Sequence, residues 1–256
     1  MNGCPLSRRQ LLEVTLLGAA GLLLDHAGAG AQSLEREHRP ILDTPNLAEN
    51  PTAVPVRVSV DHPMEPGHFI ESVEIVLETD PVPHKGTYRF TPANGRAWVS
   101  FPMRSGVGGP LKATAACSRH GRFVGTRELR VAGDGCASDP DVVAKQQPGN
   151  PRLRVVGSVR VGEVAEVLAK IDHDSDTGLR LKDGRYVRLR PEFFVKEMRA
   201  YLGRHRISEF RFTSALSPNP IIRFPLRVTG AEALRVVFVN SEGRQWEVTE
   251  PIRPAA

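Results

Sequence analysis

From Val54 onward the chain is dominated by alternation of apolar and polar positions. Val54, Val56, Val58 and Val60 are separated by polar residues or proline, and Val73, Ile75 and Leu77 recur at every second position within 71–78. Successive side chains of a strand point to opposite faces, so a period of two predicts strands with one buried face. The runs 87–90, 97–101, 111–117 and 125–131 bring this block to about six short strands. Turn residues separate them at the spacing of a β-sandwich.

A second β pattern follows. Leu153, Val155 and Val159 lead into 165–171, and further strands are predicted over 207–212, 221–228, 233–239 and 244–248. One helical piece is predicted over 191–201, with Pro191 at the favourable first position. Residues 32–50 are polar and irregular and read as a leader that packs only in part. Residues 132–152, rich in Gly, Pro and Asp and without sustained periodicity, read as a linker. The predicted organisation is therefore all-β: an N-terminal segment 1–31, a sandwich 32–131, the linker 132–152 and a second sandwich 153–256.

The two blocks repeat each other in order. Phe90-Thr91 matches Phe212-Thr213, and Phe101-Pro102-Met103-Arg104 matches Phe224-Pro225-Leu226-Arg227. Ser118-Arg119-His120-Gly121-Arg122 matches Ser241-Glu242-Gly243-Arg244, one residue out of step, and Val60-Asp61-His62 matches Ile171-Asp172-His173. Two related sandwiches, each burying its own core, account for the series.

Charge narrows the function classes. The formal charge of +5 is spread along the chain, with arginine outnumbering lysine. No basic block is interleaved with aromatics, which argues against a nucleic-acid partner and leaves anions or an acidic protein. Ser7-Arg8-Arg9-Gln10-Leu11-Leu12 is a twin-arginine pattern, followed by an apolar run from Leu16 to Leu24 and small residues at Ala29-Gly30-Ala31. The run is short for a bilayer span. Cleavage after about Ala31 and a mature periplasmic protein without a membrane span are expected, an uncleaved anchor being the alternative.

Cleavage leaves Cys117 and Cys136. An oxidising compartment raises the possibility of a disulfide between them. Alternation over 111–118 instead puts Cys117 inside a strand as a small buried hydrophobe. Cys136 sits in Val131-Ala132-Gly133-Asp134-Gly135-Cys136-Ala137 and reads as a presented thiol on an arm made flexible by Gly133 and Gly135. Motifs for serine hydrolases, phosphate loops, dinucleotide binding and zinc proteases are absent. His62, His68, His84 and His173 fit no common metal-ligand spacing and read as loop or edge histidines satisfied by backbone. Asp172, Asp174 and Asp176 could bind calcium but read as solvated turn acids. No cofactor, no metal and no catalytic residue are expected.

These residues resemble the sulfur-oxidation carrier proteins SoxY and SoxZ fused in one chain. The first block resembles SoxY in its leader, in Ala53-Val54-Pro55-Val56-Arg57-Val58, in 90–97, and in the glycine-rich segment around one cysteine. The second resembles SoxZ in 162–167, in Asp176-Thr177-Gly178 and in Ser217-Pro218-Asn219-Pro220. The resemblance implies two immunoglobulin-like sandwiches without catalysis of their own, and a cysteine, matching Cys136, that carries sulfur intermediates covalently. The implied partners are a c-type cytochrome that conjugates thiosulfate-type anions, a sulfate-releasing hydrolase and a sulfane dehydrogenase. In related fused carriers the partner is a quinoprotein dehydrogenase. The chain departs from the pattern where Asp134 replaces a glycine and Ala137-Ser138-Asp139-Pro140 continues past the cysteine. The arm should then act as a tethered loop, with Asp134 and Asp139 disfavouring the thiolate.

Overall fold

The computed structural model describes residues 32–138, 149–157 and 159–255. The twin-arginine segment, its cleavage site and Asp139 lie outside the described residues. Residues 32–38 are helical and belong to a unit of their own. From Arg39 the chain forms one unit built almost wholly of strands. In chain order these are β1 (Ile41–Asp43), β2 (Val54–Val60), β3 (Ile70–Leu77), β4 (His84–Arg89), β5 (Ala97–Met103), β6 (Gly109–Cys117), β7 (Gly121–Leu129) and β8 (Gly149–Val156). The remainder are β9 (Val164–Asp172), β10 (Leu179–Lys182), β11 (Arg185–Arg188), β12 (Val195–Leu202), β13 (His205–Phe212), β14 (Ile221–Arg227), β15 (Ala233–Asn240) and β16 (Gln245–Pro251).

Alternation carries directly into burial. In β2 all four valines are buried, and in β6 the positions Leu111, Ala113, Ala115 and Cys117 face inward. The 32–50 leader is more ordered than its composition predicts. β1 pairs with β2, and Ala48 bridges to Val131. The predicted helix over 191–201 is instead a strand. Met198, Ala200 and Leu202 alternate inward along β12, which is hydrogen-bonded to β13 on one side and β15 on the other. Pairing on both edges gives the backbone of β12 hydrogen-bond partners in two neighbouring strands, and it buries the apolar face as well.

Two immunoglobulin-like halves are present, and their sheets run into one another. One sheet has the order β1-β2-β5-β14-β9-β8 and the other β16-β15-β12-β13-β4-β3-β6-β7. Each order reads symmetrically about its middle, so β5 meets its repeat partner β14, and β4 meets β13. At the junction Tyr88 and Phe90 of the first half pack against Phe210 of the second, with ring centroids 5.5 and 5.6 Å apart. Asn94 donates both to Ser208 Oγ and to the Pro225 carbonyl, each at 2.8 Å. Each half was expected to bury its own core. The described residues instead share one continuous hydrophobic cluster from Leu42 to Ile252.

Candidate functional site

Cys136 lies at the seam between the halves, and it is buried, with 0% of its surface exposed. This corrects the expectation of a presented thiol. Ala132 N–H donates to the Ala48 carbonyl, Gly135 N–H to the Ser105 carbonyl and Ser138 N–H to the Leu179 carbonyl. Arg104 Nη1 donates to the Gly135 carbonyl at 3.1 Å, and Thr177 Oγ1 to the Cys136 carbonyl at 2.6 Å. Asp134 shapes the turn from inside, its Oδ1 accepting from the backbone N–H of Cys136 (2.8 Å) and of Ala137 (3.1 Å).

The glycines serve the docked conformation in different ways. Gly133 has φ +100°, in open space, so its role is conformational. Gly135 is needed for close approach, because a Cβ there would lie 1.9 Å from the Pro51 carbonyl oxygen and 2.8 Å from that of Ser105. Gly106 likewise leaves room for Cys136, whose Cβ would lie 3.2 Å from an added Cβ.

Below the thiol runs a buried ion pair. Lys85 Nζ and Asp80 Oδ2 are 2.6 Å apart, both side chains wholly buried. Asp80 Oδ1 also accepts from Ser105 Oγ and from the N–H groups of Gly106 and Val107. With both carboxylate oxygens of Asp80 engaged, the buried pair ties the 104–107 loop to the turn between β3 and β4. Above the thiol, the β10–β11 hairpin brings Tyr186, whose hydroxyl bonds to Asp134 and whose acidity is weakened first by burial and then by that carboxylate. Burial pushes the Cys136 thiol up to about 12; Lys85 and Arg104 pull it down, while Asp80 and Asp134 push it further up. The docked thiol is therefore protonated and a poor nucleophile at neutral pH. Arg104 Nε is buried beside it without a hydrogen-bond partner.

The other candidates separate. Asp172 pairs with Lys170 and Arg152, and Asp176 with Arg190, so these acids are engaged by cations. His84 pairs with Glu74. Cys117 and Cys136 are both free of a disulfide. His62 and His68, read separately from the sequence, converge with Cys117 and with His120, a residue the sequence reading placed only in the repeat. The signal available was Cys117-x-x-His120 across a tight turn, which acquires meaning only once β3 and β6 are neighbours.

Among the described residues no helix is long and apolar enough to cross a membrane. No curated relative matches the chain. Among solved structures, a superoxide reductase (neelaredoxin) from Ignicoccus hospitalis is 29% identical over 37% of this chain and 81% of its own, with a TM-score of 0.34. A putative superoxide reductase from Thermotoga maritima is 21% identical over 38% of this chain and 87% of its own, with a TM-score of 0.33. A β-glucuronidase from glycoside hydrolase family 2 is 12% identical over 86% of this chain and 21% of its own, with a TM-score of 0.25. The family profiles are decisive. Sulfur oxidation protein SoxY matches residues 26–136, ending on Cys136 itself, and sulphur oxidation protein SoxZ matches residues 153–251. The chain is a fused SoxY–SoxZ protein and belongs to this sulfur-oxidation family.

Proposed function

We propose that the protein is a non-enzymatic periplasmic carrier, exported by the twin-arginine route, whose Cys136 thiol holds thiosulfate-derived intermediates covalently for partner enzymes. On this reading a c-type cytochrome joins thiosulfate to the thiol. A sulfur–sulfur bond forms, the thiol proton is released, and two electrons pass to the cytochrome. A hydrolase then adds water, releases sulfate and a proton, and leaves a persulfide for a sulfane dehydrogenase. The observation that carries the reading is the position of Cys136, at the end of the SoxY match and on a segment held mainly by hydrogen bonds. The unpartnered Arg104 Nε is a donor available to an anionic adduct. Docking protects the thiol from the oxidation that threatens an exposed cysteine, and loading requires release of residues 132–138.

Mass spectrometry of the protein incubated with thiosulfate and an oxidising cytochrome tests this. An added S2O3 group on the Cys136 peptide, removable by a thiol reductant, is expected; a Cys136 that stays free throughout overturns the reading. The burial of Cys136 favours a second reading, a non-covalent module for a periplasmic quinoprotein dehydrogenase. That reading predicts full partner activity with Cys136→Ser, whereas the carrier reading predicts its loss.

A further inference from the structure

At the end of the first half remote from the sequence neighbourhood of Cys136, three imidazoles and one thiol point at a common centre. His62 follows β2, His68 precedes β3, Cys117 ends β6 and His120 lies in the turn to β7. His62 Nε2 is 3.1 Å from His68 Nε2, which is 3.2 Å from His120 Nδ1. Cys117 Sγ is 3.8 Å from His62 Nε2 and 3.9 Å from His120 Nδ1. The four donor atoms lie within 4.8 Å of one another. Two nitrogens bound tetrahedrally at metal distances of about 2.0–2.1 Å are about 3.3 Å apart, and a nitrogen and a thiolate sulfur about 3.6 Å. The observed N···N separations of 3.1 and 3.2 Å fall slightly inside the first edge, and the N···S separations of 3.8 and 3.9 Å slightly outside the second.

The surroundings orient the donors. His62 Nδ1 faces the Pro63 carbonyl at 2.5 Å, so the proton belongs on Nδ1 and the Nε2 lone pair turns inward. The Arg119 N–H donates to Cys117 Sγ at 3.5 Å, which fixes the position of the sulfur at the end of β6. Ser118 N–H donates to the Phe69 carbonyl and Phe69 N–H to Ser118 Oγ, which locks the turn carrying His120 against the segment carrying His68. A hydrogen-bond chain alone accounts poorly for the arrangement. A single hydrogen on His68 Nε2 can serve only one of its two nitrogen neighbours, whereas an ion between them serves both.

The second half supplies an internal comparison. His173, the repeat partner of His62, also directs Nδ1 at the carbonyl of the next residue, Asp174. Its Nε2 lies 3.3 Å from Asn240 Nδ2, and Asn240 holds the position of Cys117. Phe193 stacks on its ring at 4.6 Å. The turn there is one residue shorter, and the residue it lacks is the one at His120. A single histidine and an amide thus meet the structural need of this corner of the fold. The first half adds a thiol and two imidazoles at the same place.

We propose that His62, His68, His120 and Cys117 form a mononuclear site for a divalent first-row transition metal. Imidazole and thiolate donors select ions such as zinc, ferrous iron or cobalt over calcium and magnesium, which take oxygen ligands. His120 is exposed and His68 half-buried, so an ion can enter the folded protein from that edge. The site shares no residue with the Cys136 junction and stands or falls independently of the carrier reading.

Cobalt is the probe. Purified protein stripped with a chelator and titrated anaerobically with Co2+ is expected to bind one equivalent and to show a sulfur-to-cobalt charge-transfer absorption. Cys117→Ser should abolish that absorption, and Cys136→Ser should leave it unchanged. Outer-sphere partners are worth about 10–100-fold in metal affinity, so removing a ligand in His120→Ala should weaken Co2+ binding by about 100-fold or more. His120 is exposed, so this variant decides the matter even if Cys117→Ser fails to fold. Absence of stoichiometric binding, unchanged affinity in His120→Ala, or a charge-transfer band that depends on Cys136 would each overturn the proposal.

Discussion

At the scale of single residues, the seam around Cys136 shows why composition and conformation part company. A glycine-rich stretch reads as slack chain, yet Gly135 is present because carbonyl oxygens of Pro51 and Ser105 occupy the space of its missing Cβ. Both neighbours are backbone and cannot rotate away, so Gly135→Ala should undock the segment and raise the rate of Cys136 alkylation at least about tenfold, the equivalent of about 1.4 kcal/mol. Labelling kinetics followed by mass spectrometry measure it, and an unchanged rate would show that the docked state contributes nothing to protection. The thiol also sets a pH dependence. Its folded value of about 12 lies above the ordinary 9.0, so the neutral form is favoured by folding. That contribution is complete below about 9 and is lost as the pH rises towards about 12. Cys136→Ser removes the group, and its unfolding free energy should therefore fall less steeply than that of the native protein across the alkaline limb. Parallel slopes would contradict the burial of the thiol.

At the scale of elements, β2, β3 and β6 were legible because each buries one face and leaves the other at least partly exposed, so alternation survives in the sequence. β12 was misread because Val195, Met198 and Leu202 fit a helical spacing as well as a strand, and only its two neighbours decide between them. β10 and β11 gave no periodic signal since seven of their eight residues are not buried. This hairpin and the turn before it nonetheless cover Cys136. The ligating histidines were hidden for a related reason: the chain brings them together through the β3–β6 pairing, not through spacing. Thr177, ahead of β10, holds the docked segment through its bond to the Cys136 carbonyl and also accepts from Leu179 N–H. Thr177→Val keeps the shape and removes both bonds, together with the one between Thr177 Oγ1 and Ser138 Oγ, at a cost of about 1–3 kcal/mol for buried groups left unpaired. Cys136 should become about tenfold or more easier to label while the near-ultraviolet circular dichroism of the fold is retained. Equal labelling in variant and native protein would remove the turn from any role in shielding the thiol.

At the scale of the whole molecule, the sequence repeat correctly signals two related halves but does not reveal that they share sheets and a core. The physical reason is that aromatic positions of the repeat lie at the seam: Tyr88 and Phe90 in one half pack against Phe210 and Phe212 in the other, Phe101 and Phe224 back them from within their own halves, and β4 pairs with β13. A half cut away at this seam would expose both an aromatic face and two strand edges, so the halves should unfold together rather than in turn. The two tryptophans report on this separately, because Trp98 lies in β5 of the first half and Trp246 in β16 of the second. Variants keeping one tryptophan each, with phenylalanine at the other position, should give coincident urea midpoints. Phe210, wholly buried and in contact with Tyr88 and Phe90 across the seam, then provides the decisive perturbation. Phe210→Ala should destabilise by about 3–5 kcal/mol and shift both tryptophan signals by the same amount. If only the Trp246 signal moves, the halves are independent domains that merely touch, and a docked Cys136 between them would lose its structural basis.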